Sequence, residues 1–305
     1  MRLRALAVLL FISPLACTSQ SATAKASPAG ASASGHLLIV GGGEQPPELV
    51  EHFVTLAGGA GRARIAVIPL ASEEPQATGQ EKVEQLNGLG ARAFMLLVTR
   101  AQANADSVVA TLDSATGVWF TGGDQARITA VLSGTRLLQA IRDRRQAGAV
   151  IAGTSAGAAI MSDSMITGDQ RRAGEDTVGY FGDEYPDVAR GTIEVVPGLG
   201  FLPGTIVDQH FLRRERHNRL LGATLERPEL IGVGIDEGTA LQVNGDGGWE
   251  VRGRSAVVIY DARKASITAP GAPVLGAAEV RTFLLPAGST FDPGTGRAAL
   301  PASAR

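Results

Sequence analysis

A doubly wound α/β fold with a mostly parallel sheet is predicted by three observations on this 305-residue chain. Short, continuously apolar runs recur through its first half. Each is followed by a stretch of helical periodicity, and several end directly in glycines or turn residues. A strand that is apolar on both faces needs cover on both, and parallel strands crossed by helices receive it. With 44% hydrophobic residues the chain can build one sizeable core, and its length leaves no room for more than two domains.

Residues 36–40 (HLLIV) run into Gly41-Gly42-Gly43 and read as a buried strand. Residues 47–60 read as an amphipathic helix ended by Gly58-Gly59. A second strand follows at 64–69, a helix within 73–89, a third strand at 92–98, a helix at 103–114 and a fourth strand at 117–121. Residues 124–147 hold one helix or two. A fifth strand, 149–152, leads straight into Gly153-Thr154-Ser155-Ala156-Gly157. This alternation gives a flavodoxin-like, doubly wound sheet. Periodicity fades over 168–190, where charged residues mix with Tyr180, Phe181 and Tyr185. A loop of that length is either a wall or lid of a site, or a solvated insertion. From 191 onward strands dominate, at 192–196, 205–207 and 229–235. Then 239–243, 248–252 and 256–261 read as a C-terminal β-meander, with Asn244-Gly245-Asp246-Gly247 as a hairpin turn, and 276–291 adds a last strand. The reading is one α/β domain over 35–292, with 293–305 as a flexible tail.

The start of the chain reads as a signal peptide, residues 1–17. Arg2 and Arg4 precede an apolar run from Leu6 to Ile12, and small residues follow. That run is too short to span a bilayer. Cys17, the sole cysteine, stands where a lipoprotein signal places its acylated residue, although Pro14 replaces the usual Leu; cleavage after Ala22-Thr23-Ala24 is the alternative. Export is therefore expected, to the periplasm, the exterior or a lipid anchor, and contact with a membrane only through Cys17. The Ser/Ala/Thr-rich residues 18–34 read as a disordered linker. One cysteine allows no disulfide within the chain and offers the core no thiol for catalysis or a metal cluster. A formal net charge of −2 gives no global positive field for nucleic acid.

The chemistry begins at Ser155. Glycines two before and two after it permit a sharp turn from strand to helix, which exposes the hydroxyl above the sheet and aims backbone N–H groups at the same point. A serine nucleophile needs a base. His36 and His52 lie in the first strand and helix and read as structural; His217 lies in a charged, exposed stretch. His210 ends an apolar strand, at the edge where loops of a parallel sheet converge, and is the candidate base. Asp208, Asp236 and Glu237 all stand at strand ends, and spacing does not choose among them as the acid that orients the histidine. The turn Thr121-Gly122-Gly123-Asp124-Gln125 ends on the same edge as Ser155, so its amides can complete an oxyanion hole with that of Ala156. Arg213, Arg214, Arg216 and Arg219 cluster after the base. Arginine forks bind carboxylates bidentately, so an acidic substrate is expected.

Five motifs now stand in one order: Gly41-Gly42-Gly43, Trp-Phe-Thr-Gly-Gly-Asp-Gln at 119–125, Gly-Thr-Ser-Ala-Gly-Ala at 153–158, Asp-Gln-His-Phe with its arginines at 208–219, and Gly-Ile-Asp-Glu-Gly-Thr-Ala at 234–240. Together, over roughly 36–290, they resemble cyanophycinase, in the serine-peptidase family that also holds the aspartyl dipeptidases called peptidase E. The resemblance implies a class I glutamine amidotransferase-like fold with serine in place of the nucleophilic cysteine. It implies a triad of Ser155, His210 and Glu237, and an oxyanion hole from the amides of Gly123 and Ala156. It puts Gln125, Asp208, Gln209, Arg214, Arg216 and Arg219 on substrate-binding positions. It implies cyanophycin as substrate, a poly-aspartate backbone bearing arginine on each β-carboxyl group, cut to β-Asp-Arg dipeptides through an acyl-enzyme. No metal or cofactor is implied, and a homodimer is. The Gln-His-Phe-x-Arg-Arg-x-Arg context favours cyanophycinase over the dipeptidase branch. The rival is an aspartyl dipeptidase or isopeptidase; a remoter one is a non-catalytic binding protein on the same fold.

Overall fold

The computed structural model describes residues 34–171, 178–179, 182, 185 and 187–302. The signal peptide, Cys17 and nearly all of the 18–34 linker lie outside them.

The first half builds the parallel sheet in the predicted order. Strands are β1 (Leu37–Val40), β2 (Arg64–Ile68), β3 (Arg92–Met95), β4 (Gly117–Phe120) and β5 (Val150–Thr154); the helices between are α1 (Pro47–Leu56), α2 (Pro75–Gly88), α3 (Asp106–Val109), α4 (Gln125–Leu132) and α5 (Arg136–Gln146). Neighbours run β3-β2-β4-β5-β1, every pair parallel. Successive side chains point to opposite faces. Leu38, Val40, Ile65, Val67 and Trp119 pack with Leu49, Val50 and Phe53 of α1 and Val83 and Leu86 of α2. Leu37, Ile39, Ile68, Phe120 and Ile151 pack on the other face with α4, α5 and the second half of the chain. Each such buried aliphatic side chain contributes about 1.5–3 kcal/mol, and none has a polar alternative.

Two helix boundaries have local causes. The 124–147 stretch is two helices because Gly134 turns the chain with φ 71° and the Thr135 hydroxyl then accepts from Leu138 N, capping α5. The helix expected at 103–114 is instead a 3₁₀ turn, the four-residue α3 and a second 3₁₀ turn; β-branched Val108 and Val109 and only two buried side chains, Ala103 and Leu112, leave it little to gain from a regular helix.

After β5 come α6 (Ala156–Ala159), β6 (Ser164–Arg171), β7 (Val178–Gly179), β8 (Ile193–Pro197), β9 (Thr205–Gln209), α7 (His217–Glu226), β10 (Ile231–Ile235), β11 (Thr239–Val243), β12 (Trp249–Gly253), β13 (Ala256–Asp261), β14 (Ser266–Ile267), β15 (Ala277–Ala278), β16 (Arg281–Pro286), β17 (Thr290–Asp292) and β18 (Arg297–Ala299). Four findings differ from expectation. The strand at 256–261 leaves the expected meander: β13 pairs with β10 and β16, while β11 and β12 extend the main sheet. The strand at 205–209 does not join the parallel sheet: β9 pairs in parallel with β10, and the order β16-β13-β10-β9 makes a separate sheet, whose Val207, Val233, Ile235, Val257 and Ile259 pack on the main one. Part of the 168–190 stretch is ordered, since β7-β6-β8 form a small sheet; residues 172–177, 180–181, 183–184 and 186 lie outside the described residues. The expected flexible tail carries β18, which pairs with β17 on the antiparallel extension β11-β12-β17-β18 of the main sheet; Phe291, packed against Trp249 at 5.4 Å, anchors that edge.

Candidate active site

Ser155 sits between β5 and α6 with φ 53° and ψ −111°, a conformation that costs a non-glycine residue about 1–3 kcal/mol. Its neighbours enforce it. A Cβ on Gly153 would stand 2.1 Å from Gly157 O, and one on Gly157 would stand 2.6 Å from Phe120 O. The two glycines of the motif are therefore required by backbone approaching backbone. Ser155 N donates to Val40 O at 3.0 Å, which fixes the turn to the end of β1.

His210 follows β9 directly, with φ 50°. Its N–H donates to Gly41 O at 2.6 Å, and Gly238 N donates to Gly42 O at 3.0 Å. The glycine loop after β1 thus ties together the ends of β9 and β10. Because those strands pair in parallel with Gln209 opposite Ile235, His210 and Glu237 leave their strands side by side. His210 Nε2 lies 2.9 Å from Ser155 Oγ, and Nδ1 lies 2.6 Å from Glu237 Oε1. Burial, above all, holds the imidazole below its ordinary value; the Glu237 hydrogen bond opposes this, and the Arg214 and Arg216 charges reinforce it. Among the three acids left open by spacing, Glu237 is the one that reaches the ring. Asp236 accepts from Arg213 N at 2.9 Å and Ser255 Oγ at 2.7 Å. Asp208 points away, to Arg219.

The Thr121–Asp124 loop abuts the serine. Among the described residues, the amide N–H groups of Gly123 and Ala156 donate to no protein acceptor. Asp124 N donates to Ala71 O at 2.9 Å and the Asp124 side chain caps α4 on Ala126 N at 2.8 Å, so the loop is held from both sides.

A cavity of about 870 Å³ opens onto Ser155 and His210 and is lined by Gln125, Gln209, Arg214, Arg216 and Arg219. Five of the six residues expected to bind substrate are thus brought together. Asp208 does not line the cavity. It is 1% exposed and holds Arg219 through Nε at 2.8 Å and through the second guanidinium nitrogen. Its carboxylate is engaged with Arg219 behind the cavity wall. Gln125 is anchored too: its Nε2 donates to Ile166 O and Thr167 O at 2.9 and 2.7 Å, binding α4 to β6.

Sequence reasoning missed several wall residues. Thr167, Gly168, Asp169 and Glu194 of the β6–β8 sheet line the same cavity. Tyr185 accepts from Arg219 at 2.9 Å and donates to Gly168 O at 2.9 Å. Of the 168–190 stretch, Gly168 and Asp169 line the cavity, and Tyr185 braces it through Arg219 and Gly168.

Residues 37–250 match the sequence model of Peptidase family S51. The chain belongs to that family. It is a serine-type peptidase with the class I glutamine amidotransferase-like fold. The S51 peptidase is 38% identical over 251 residues to the cyanophycinase of Nostoc sp. (strain PCC 7120), covering 81% of this chain and 79% of that one. It is 36% identical over 244 residues to the cyanophycinase of Synechococcus elongatus, covering 77% and 71%. The crystal structure of a peptidase from an acI-B1 actinobacterium superposes with a TM-score of 0.61 over 85% of this chain and 97% of that one, at 24% identity; that likeness is one of fold.

The glycine loop gives this S51 peptidase a testable weak point. Gly42 has φ 99°, and a Cβ there would stand 2.4 Å from Cε1 and Nε2 of His210. Gly42→Ala is expected to displace the imidazole and lower kcat/KM by about 100-fold, the effect of a misplacement near 1 Å. Steady-state kinetics beside a thermal melt checks it; a folded variant with activity within a few-fold of wild type would show that the loop does not position His210.

Proposed function

We propose that this S51 peptidase hydrolyses cyanophycin and releases β-Asp-Arg dipeptides, with Ser155, His210 and Glu237 as its catalytic set. The observation that carries this reading is the arginine-lined cavity opening onto a serine that is hydrogen-bonded to a histidine, itself bonded to a glutamate. Each unit of cyanophycin presents carboxylate and guanidinium groups. Arg214, Arg216 and Arg219 suit the first, and Asp169 and Glu194 the second. The identity to two cyanophycinases supports the same substrate.

The contacts support the following mechanism. His210 Nε2 takes the proton of Ser155 Oγ as the oxygen attacks the scissile backbone carbonyl. Glu237 holds the ring by Nδ1–H and stabilises the imidazolium. The carbonyl oxygen gains charge beside the Gly123 and Ala156 amides, which are not engaged elsewhere among the described residues. His210 then gives its proton to the leaving amine, an acyl-enzyme on Ser155 remains, and water activated by His210 releases it.

Two measurements test this. Incubation with cyanophycin and mass detection should find β-Asp-Arg; turnover of Asp-X dipeptides with no release from the polymer would overturn the substrate and favour the dipeptidase. The pH profile tests the base. His210 must be neutral to accept a proton, and its pKa lies below the ordinary 6.5. Falling pH protonates it only below that value, so the acid limb of kcat/KM is expected below pH 6.5, with activity level through neutrality. A limb centred above 6.5 would contradict this account.

We infer export from the charged-then-apolar start of the first 17 residues. Mass spectrometry of the mature chain should find cleavage before Cys17 or after Ala24; a cytoplasmic chain beginning at Met1 would overturn it.

A further inference from the structure

Ser155 and His210 line a second cavity, of about 690 Å³, whose walls are otherwise almost entirely different. It is bounded by the glycine loop after β1, by α2 and by the Thr121–Gly123 loop, and shares only Glu73, Gly123, Ser155 and His210 with the arginine-lined cavity. The nucleophile stands where the two meet.

The second cavity holds one lysine and no arginine. Lys82, on α2, donates through Nζ to Gln45 Oε1 at 2.7 Å and Gln85 Oε1 at 2.6 Å, and its ammonium sits 4.5 Å from the centroid of the Trp119 ring. Among the described residues no carboxylate forms an ion pair with it. All its partners are neutral, and an ammonium has three donors, so one remains. Burial pushes its pKa down to about 8, with Glu81 opposing. A half-buried cation whose hydrogen-bond partners are all neutral is a cost to the fold. At a surface position the side chain would turn outward to water; here it is held against an indole at the wall of a cavity that contains the nucleophile. Glu44, Glu73 and Glu81 line the same cavity. The cavity therefore offers one inner cation and several carboxylates. An arginine side group with a free α-carboxylate offers the complement.

The geometry points to this cavity as a second substrate subsite, which takes the unit on the opposite side of the scissile bond from the arginine-lined cavity: Lys82 receives that unit's arginine carboxylate, and the glutamates receive its guanidinium. The inference rests on the cyanophycin reading and adds to it where the neighbouring unit binds and through which residue.

The test uses a synthetic two-unit substrate with one scissile bond, in which the arginine carboxylate of one unit or the other is converted to the carboxamide. Wild-type enzyme is expected to lose about 10- to 100-fold in KM on either amidation, the effect of removing one charge-assisted hydrogen bond. Lys82→Met should raise KM for the unmodified substrate by a similar factor, with kcat changed less, and should no longer distinguish one of the two amidated forms while still rejecting the other. Lys82→Arg should restore that discrimination. A Lys82→Met enzyme that rejects both forms as wild type does would overturn the inference and leave the substrate reading standing. A wild-type enzyme that cleaves Asp-X dipeptides and not the polymer would overturn both. Thermal unfolding of the variant separates loss of binding from loss of fold.

Discussion

Ser155→Ala is expected to lower turnover of the polymer by about 10⁴- to 10⁶-fold and leave the fold intact. The hydroxyl is hydrogen-bonded to His210 Nε2 and to no other side chain among the described residues, so its removal strands no buried donor elsewhere. Alanine bears the same cost at φ 53° as serine does, and the surrounding turn is set by Gly153 and Gly157, which the substitution does not touch. What goes is the oxygen that attacks in the proposed mechanism. His210→Ala should fall by a comparable factor, and the double variant should be no worse than either single one, because the pair acts as a unit. Kinetics on cyanophycin beside circular dichroism and a thermal melt reads both halves of the expectation. A folded Ser155→Ala enzyme retaining more than about one per cent of activity would remove the serine mechanism, since no such residue of a working set can be lost so cheaply.

The parts of this molecule that were legible in sequence are those fixed locally. β1, β4 and β5 are buried on both faces, so they read as unbroken apolar runs. The serine turn was legible because two glycines are sterically required there. His210 was legible as the candidate base because it ends a strand, although the sheet to which that strand belongs was not: a run such as Thr205-Ile206-Val207 pairs equally well with any neighbour, and only the packing of β9, β10, β13 and β16 over the main sheet decides it. The same limit hid which carboxylate meets His210. Asp208, Asp236 and Glu237 differ in what faces them, and Arg219, Ser255 and His210 come from elsewhere in the chain. Lys82 carried no signal either. It stands on a helix with three buried residues, and its setting comes from Trp119, on a strand two removed in sequence, whose ring lies beneath it.

Asp208→Ala is expected to be the most destabilising single change at the site, by about 3–5 kcal/mol, the cost of leaving a buried charge without its partner. Arg219 is 2% exposed, and Asp208 meets it with both carboxylate oxygens. With the carboxylate gone, the Tyr185 hydroxyl at 2.9 Å and its ring at 5.1 Å remain, and neither carries a charge. For a domain of this size the midpoint of thermal unfolding should fall by roughly 6–20 °C. A fall of under about 2 °C would mean that Arg219 finds water or another carboxylate. The partner variant makes the point sharper. Asp208→Ala combined with Arg219→Leu removes that pair, and an apolar replacement of a buried pair is often neutral, so stability should return except for the share owed to Arg216, whose guanidinium also lies 3.9 Å from Asp208. The arginine-lined cavity would still lack one of its three cations, so KM should stay raised in the stable double variant. If stability and KM recover together, Arg219 is a structural cation that happens to line the cavity; if stability alone recovers, Asp208 serves the fold and Arg219 serves the substrate.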